Sequence, residues 1–321
     1  MSSIESVAAL IDRRKLRRSL RLWRAAAFIA AALVVLAFGL RFIAARTLSG
    51  EHVARVEITG MITGREATLN MLQDLRTSSA GAVILRISSP GGTTEGSEAL
   101  YDELRRLAEK KPVVAVVDGM AASGAYIAAL GADRIFVRGN SIVGSIGVLM
   151  QYPNFSGFLE KVGVKYETIK SSPLKASPNG MEPTSDAAQA AIDALIQDSF
   201  VWFKDLVKSR RGLSDSELAA VADGRIFTGR QSLPLKLADE IGGEREALVW
   251  LETHRAIKKD LPIRDWKPVN ADLDLNFFSR AADVADWFGT TALSAILRKG
   301  ENLQGGRGRG LLAVWPGVLD N

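Results

Sequence analysis

The chain has 321 residues, 47% of them apolar, and no cysteine. That is enough for one large domain with appendages, and it excludes disulfides, thiolate catalysis and cysteine zinc sites. The formal charge of +5 is uneven: residues 1–50 hold nine Lys/Arg against two Asp/Glu, or +7, so the remainder carries −2. The basic character belongs to an N-terminal tail, and no nucleic-acid partner is expected of the body.

Ala25–Leu40 is a run of sixteen uncharged residues, resumed after Arg41 by Phe42-Ile43-Ala44-Ala45. A membrane span needs roughly 20 residues, about 17 at the least, and Arg41 can snorkel to the headgroups. Seven Lys/Arg precede the run, from Arg13 to Arg24. The positive-inside rule then makes 1–22 a cytoplasmic tail and 23–45 a single-pass anchor in the cytoplasmic membrane, with the body on the extracytoplasmic side. A cleaved signal peptide and a buried soluble helix are the competing readings; the run is long for a signal and no clear small-residue cleavage site follows it.

Beyond the anchor, strand-like and helix-like stretches alternate. Val53–Thr59, Ala82–Ser88, Val113–Val117, Ile135–Val137 and Tyr166–Lys170 read as strands, and 65–78 and 94–110 as helices, the second with Leu100, Leu104 and Leu107 on one face. The pattern predicts an α/β domain over 50–262 with largely parallel strands buried between helices. From Thr184 the character is helical, over 185–211, 214–222, 229–237 and 244–258. Residues 263–321 form a C-terminal extension with an amphipathic stretch at 277–298, suited to packing against the body, a sister subunit or a membrane surface.

Ser123 is the candidate nucleophile. It follows the apolar run Val113–Val117 and an Asp118-Gly119 turn, and it is wrapped in Met120-Ala121-Ala122 and Gly124-Ala125. Strand, turn, serine and short apolar helix resemble a nucleophile elbow; a helix N-cap is the plainer reading. The chain has two histidines. His52 lies at the edge of the membrane segment and His254 in a charged helical stretch, so a lysine is the expected base. The candidates are Lys161, Lys165, Lys170 and Lys175. A lysine base has to lower its ordinary pKa of about 10.4 to near 7, about 4 kcal/mol of differential interaction, which desolvation supplies. Ser89-Pro90-Gly91-Gly92 follows a strand and can either turn the chain or aim N–H groups at an oxyanion. Gly144-Ser145-Ile146-Gly147 is a further Gly-rich turn that either ends a strand or lines a groove.

Taken together, SPGG (89–92), DGMAASGAYIAA (118–129), IVGSIGV (142–148), VKYETIKSSPLK (164–175) and DGRIFTGRQSLPLKLADEIGG (223–243) resemble, in order, the signal peptide peptidase A family in its short, single-copy form. These are membrane-bound Ser/Lys peptidases. The resemblance implies a ClpP/crotonase-like fold with a repeated ββα core, Ser123 as nucleophile and Lys175 as general base. It implies Gly91 and Gly124 amides as the oxyanion hole and Ser145 as the residue that orients the lysine. No metal or cofactor is implied. The substrates implied are apolar peptides, the signal-peptide remnants left after export. The assembly implied is a homo-oligomer, an octamer among such rings, with serine and lysine of one site on adjacent subunits. The chain departs from the family at Ser172, where glycine is usual, and at Ala176, often acidic; Lys170 is the fallback base. The alternative from another class is a non-proteolytic protein of the same fold, either an acyl-CoA enzyme or a membrane scaffold.

Overall fold

A computed structural model describes residues 50–268 of the chain. By its contacts the chain divides into Met1–Glu51 and His52–Asn321, and the description below concerns the second unit. The expected anchor at 23–45 and the amphipathic stretch at 277–298 lie outside the described residues. Among the described residues no helix is long and apolar enough to cross a membrane.

The unit opens with β1 (His52–Ile62), α1 (Glu66–Thr77), β2 (Ala80–Gly92), α2 (Thr94–Ala108), β3 (Val113–Ala122), α3 (Gly124–Leu130) and β4 (Arg134–Val137). It continues through β5 (Ile142–Gly144), α4 (Ser156–Lys161), α5 (Asp186–Arg211), α6 (Asp215–Val221), β6 (Ile226–Thr228), α7 (Gly229–Ser232), β7 (Glu240–Ile241), α8 (Glu244–His254) and β8 (Ile263–Trp266). All strands join one sheet in the order β6-β5-β3-β2-β1-β8, with β4 beside β3 and β7 beside β4. Every pairing is parallel except β5 with β6. The result is the expected α/β architecture, although the units succeed one another as strand–helix–strand crossovers rather than as a strict ββα repeat.

Period-2 alternation decides which face each side chain meets. Ala54, Val56, Ile58, Val83, Leu85, Ile87, Val113, Ala115 and Val117 point to one face and pack on α1, α2, α3, α5 and α6 through residues such as Leu72, Leu104, Tyr126, Phe203 and Val221. Val53, Ala82, Ile84, Val114, Val116 and Phe136 point to the other and meet Ala247 and Leu251 of α8. Each of the buried valine, leucine, isoleucine and phenylalanine side chains among these contributes about 1.5–3 kcal/mol, which makes the central strands the rigid platform for what their ends carry.

Five expectations change. The Asp118-Gly119 pair does not turn the chain: β3 runs on to Ala122. There it changes neighbour, pairing with β4 over Val114–Val117 and with β5 over Met120–Ala122. The buried Ser141 bridges the change, donating to Val117 O at 2.6 Å, and Asp118 accepts from Arg86 Nε at 2.7 Å. Likewise Ser89-Pro90-Gly91-Gly92 stays in strand β2, with a register shift between Ile87 and Ser89. Tyr166–Lys170 forms no strand; it is largely exposed and no neighbouring strand pairs with it. The helix expected at 229–237 stops at Ser232. The sheet also takes in Ile263–Trp266, paired with Val53–Val56, so the folded body reaches beyond Pro262.

Candidate active site

In open α/β sheets, sites form beyond the carboxyl ends of strands where the strand order switches. β3 switches neighbour between Val117 and Met120, and Ser123 follows its last residue. Its backbone sits at φ 53°, ψ −122°, a region that non-glycine residues enter at a cost of about 1–3 kcal/mol. Three hydrogen bonds hold it there. Ser123 N–H donates to Gly144 O at 2.9 Å, and Ser123 O accepts from Tyr126 N at 2.9 Å and Ile127 N at 3.1 Å. The serine stands at the N-cap of α3 without a side-chain capping bond, so the capping reading falls away. Between Ala121 and Leu130 it is the one residue that reaches the surface. Its Oγ makes no hydrogen bond with any described residue. A strained, surfaced hydroxyl on a buried strand-to-helix turn is the geometry of an exposed nucleophile.

Gly91 and Gly124 lie against it. A Cβ built on Gly91 (φ +113°) would stand 2.9 Å from Ala122 O and 3.0 Å from both Gly124 N and Ser123 Cβ. A Cβ on Gly124 would stand 2.1 Å from Ser97 Oγ and 3.1 Å from Gly92 N. The SPGG strand end and the serine turn are therefore one packed unit, and only glycine fits at either contact. Gly124 opens α3, so its N–H has no carbonyl four residues back within the helix. The Gly91 N–H donates to Ser89 Oγ at 3.1 Å, and Ser89 Oγ donates in turn to Gly60 O at 2.6 Å.

The 144–145 turn joins by backbone. Gly144 carries the carbonyl that takes the Ser123 amide, and Ser145 sits at φ 52° with its N–H on Arg225 O at 2.8 Å. Ser145 Oγ has no hydrogen-bond partner among the described residues.

The lysines fall differently. Lys175 is exposed in the 171–176 loop, its N–H bonded to Ser172 O at 3.1 Å; its Nζ has no partner among the described residues, Ser123 included. Lys170 Nζ is bound to Glu182 Oε2 at 2.8 Å, and that pairing holds the Glu182 carboxyl below the usual carboxylate range. Lys161 and Lys165 are exposed. Neither histidine serves Ser123: His52 Nε2 accepts from Trp266 Nε1 at 3.1 Å, and His254 stacks on Trp250. One chain thus assembles the serine, the glycine amides and the 144–145 turn, and leaves the lysine apart from them.

Two supporting residues escaped the reading of the sequence. Ser97, fully buried on α2, donates to Thr93 O at 2.8 Å and lies against Gly124. Ser89 holds the Gly91 amide. The Gly-rich SPGG context was the one signal for Ser89; nothing in the sequence around Ser97 sets it apart from an ordinary helical serine.

The model of peptidase family S49 matches residues 105–258, and the Clp protease model matches residues 55–141. A Synechocystis sp. protein with a provisional protease name is 37% identical over 230 residues, covering 70% of this chain and 83% of that one. Protease 4 of Haemophilus influenzae is 32% identical over 190 residues, 59% of this chain and 31% of its own length. The chloroplastic serine protease SPPA of Arabidopsis thaliana is 32% identical over 168 residues, 52% of this chain and 25% of its own. Both family models fall on the sheet and helices that build the Ser123 turn, and with the length shared with the Synechocystis protein they identify the chain as a member of peptidase family S49, a serine peptidase.

Proposed function

We propose that this serine peptidase is a membrane-anchored endopeptidase that cleaves apolar peptides, such as signal-peptide remnants left after export. Ser123 is the nucleophile and Lys175 of a neighbouring copy is the general base. The observation that carries the reading is the Ser123 turn itself: a strained serine with a free Oγ, flanked by the Gly91 and Gly124 backbone.

In this mechanism Lys175 Nζ takes the Ser123 proton as Oγ attacks the scissile carbonyl carbon. Gly124 N–H and Gly91 N–H receive the oxyanion, which competes with Ser89 Oγ for the Gly91 donor. The lysine ammonium then returns its proton to the leaving amine. Water, deprotonated by the same lysine, releases the acyl chain and regenerates the serine. Ser145 orients the lysine. Substrate lies extended beside Gly91–Gly92 and 144–148, by strand addition.

The oligomer is supported by the segment that carries Lys175. Leu149, Phe158, Val162, Val164, Tyr166 and Ile169 are exposed along it, Ile169 fully, and such a patch marks an association surface. The anchor is supported by the apolar run at 25–40 and the lysine and arginines before it, a pattern that under the positive-inside rule favours a body outside the cytoplasmic membrane.

Ser123→Ala and Lys175→Ala are each expected to abolish cleavage of an apolar peptide while leaving assembly intact. Co-assembled in equal amounts, the two inactive variants regain roughly a quarter of wild-type activity if each site draws its serine and lysine from different copies of a closed ring. No recovery in verified mixed oligomers would sink the shared dyad, and full activity of Lys175→Ala would sink the assigned base.

A further inference from the structure

α3 carries Ser123 at one end and is held at the other. All of its residues, Gly124–Leu130, are buried, and apart from the Tyr126 hydroxyl every side chain on it is apolar or absent. Apolar burial is non-directional: it keeps such a helix against the sheet but does little to fix how far it slides along its own axis. That coordinate is exacting here, because the helix begins in the close contact of Gly124 with Gly91, Gly92 and Ser97. Ser123 O accepts from Tyr126 N and Ile127 N, so the serine moves with the helix. At about 1.5 Å per residue α3 is only about 10 Å long, and a shift at its far end is carried to Ser123.

The far end is bonded directionally. Arg210 of α5 donates from Nε to Leu130 O at 2.8 Å and from Nη2 to Ala132 O at 2.9 Å. Arg105 of α2 donates from Nη1 to Gly131 O at 3.0 Å. Two guanidinium groups thus take three successive carbonyls where α3 ends. Helix carbonyls point along the axis, so these bonds oppose sliding; the Tyr126 hydroxyl reaches Leu237 O from the flank instead. The choice of partners is unusual for an arginine. Arg210 is half-buried and forms no ion pair among the described residues. Asp133, which could neutralise it, pairs with Arg105 at 3.5 Å and Arg255 at 3.9 Å. Burial, and next the charge of Arg105, lower the Arg210 pKa. What offsets that cost is the negative end of the helix that the guanidinium binds.

We propose that Arg210 is a positioning residue for Ser123: its guanidinium fork, assisted by Arg105, holds α3 at the axial position that seats Gly124 against the SPGG strand end. The inference rests on Ser123 as the nucleophile, and it does not depend on which lysine serves it.

The test measures kcat and KM of the full-length protein on an apolar chromogenic peptide, with the urea midpoint of each variant alongside. Arg210→Met is expected to lower kcat about 10-fold and to leave KM within about two-fold, because a misplaced Ser123 slows the chemical step more than peptide binding. Arg210→Lys keeps the charge but offers one head in place of a fork, and is expected to lose about 3-fold in kcat; it carries the same test if the methionine variant does not fold. Arg55→Met is the control. It breaks the pairs with Glu244 and Asp265 at the β1–β8 edge, leaves the bonds of α3 untouched, and is expected to keep kcat at a lowered urea midpoint. Wild-type kcat in the Arg210 variants overturns the proposal, and so does an equal loss of kcat in Arg55→Met. Ser123→Ala separates the proposal from the reading beneath it. Cleavage that survives Ser123→Ala removes the nucleophile and the proposal together; cleavage lost in Ser123→Ala but unchanged in Arg210→Met leaves the nucleophile standing and sinks the clamp alone.

Discussion

Gly91→Ala tests whether the packing of two glycine backbones sets the position of Ser123. Gly91 has φ +113°, a conformation in which a side chain costs about 1–3 kcal/mol. The new Cβ would also meet Ala122 O at 2.9 Å, Gly124 N at 3.0 Å and Ser123 Cβ at 3.0 Å. None of these is the tip of a flexible side chain; relief has to come from moving the backbone that holds Ser123. Strain and crowding together are expected to lower stability by about 2–4 kcal/mol. A displaced Ser123 is expected to lose about 10²-fold in kcat/KM. Gly60→Ala is the control, because Gly60 also has positive φ (+66°) but its Cβ would meet nothing within 4 Å. It carries the backbone strain alone, about 1–2 kcal/mol, and is expected to leave kcat within about two-fold of wild type on the same strain-only reasoning. Urea denaturation measures the stability of each variant, and cleavage of an apolar chromogenic peptide, well below the denaturation midpoint, measures activity. If Gly91→Ala keeps wild-type kcat/KM, or Gly60→Ala loses as much, the glycine contact does not position the serine.

Two further outcomes follow from groups away from Ser123. Burial pushes the Tyr126 hydroxyl pKa up, and the hydroxyl donates to Leu237 O at 2.8 Å; Tyr126→Phe strands that carbonyl and is expected to cost about 1–2 kcal/mol, read as a lower urea midpoint with peptide cleavage retained. Glu217 is held at about 2 by Lys236 and by the Ser214 backbone N–H that it accepts in the α6 capping box. Its folded pKa lies below its unfolded value near 4.5, so its stabilisation is present above pH 4.5 and is lost as pH falls from there towards 2. Glu217→Gln is expected to flatten that part of the stability–pH curve, and a curve unchanged in slope between pH 5 and 2 would remove Glu217 from the acid transition.

The serine turn was legible because its composition is extreme: six of the eight residues from Gly119 to Tyr126 are glycine, alanine or serine, next to a fully apolar strand. The path into it was not. Asp118-Gly119 has the chemistry of a turn, but Met120–Ala122 find partners in β5, and pairing with a distant strand overrides local preference. The reverse holds at Tyr166–Lys170, where Tyr166 and Thr168 suit a strand but no neighbouring strand offers a ladder. The closeness of Gly91 to Gly124 joins segments some thirty residues apart by sequence number. Each glycine was visible as a candidate amide donor, while the contact between them, and the buried Ser97 beneath it, are properties of the packed sheet and helices. The Ser89 bond to the Gly91 amide was equally hidden, because a serine before proline reads as turn chemistry whether or not it holds a donor.

The two halves of the proposed Ser123/Lys175 chemistry make opposite demands on the fold. The serine has to be held rigidly, and it is: the strand before it and the helix after it are buried, and its own amide and carbonyl are bonded. In the proposed dyad the lysine has to lose water, because desolvation favours the neutral amine that can act as a base. In the single chain Lys175 is exposed, and the nearby Lys170 already has Glu182 as counter-ion. Moving Lys170 into the role would require breaking that pair and stranding a carboxylate; moving Lys175 requires only that another surface cover its loop. That loop follows the stretch where Phe158, Val162, Val164 and Ile169 stand exposed, apolar surface that a second copy can bury. Association and base activation would then be one event: the contact that covers these side chains also strips solvent from the lysine. A dilute protein held below its assembly threshold should therefore lose activity out of proportion to the enzyme present, with specific activity rising with concentration and levelling once assembly is complete. Constant specific activity across a dilution series that sedimentation shows to span monomer and oligomer would place the working base within the single chain.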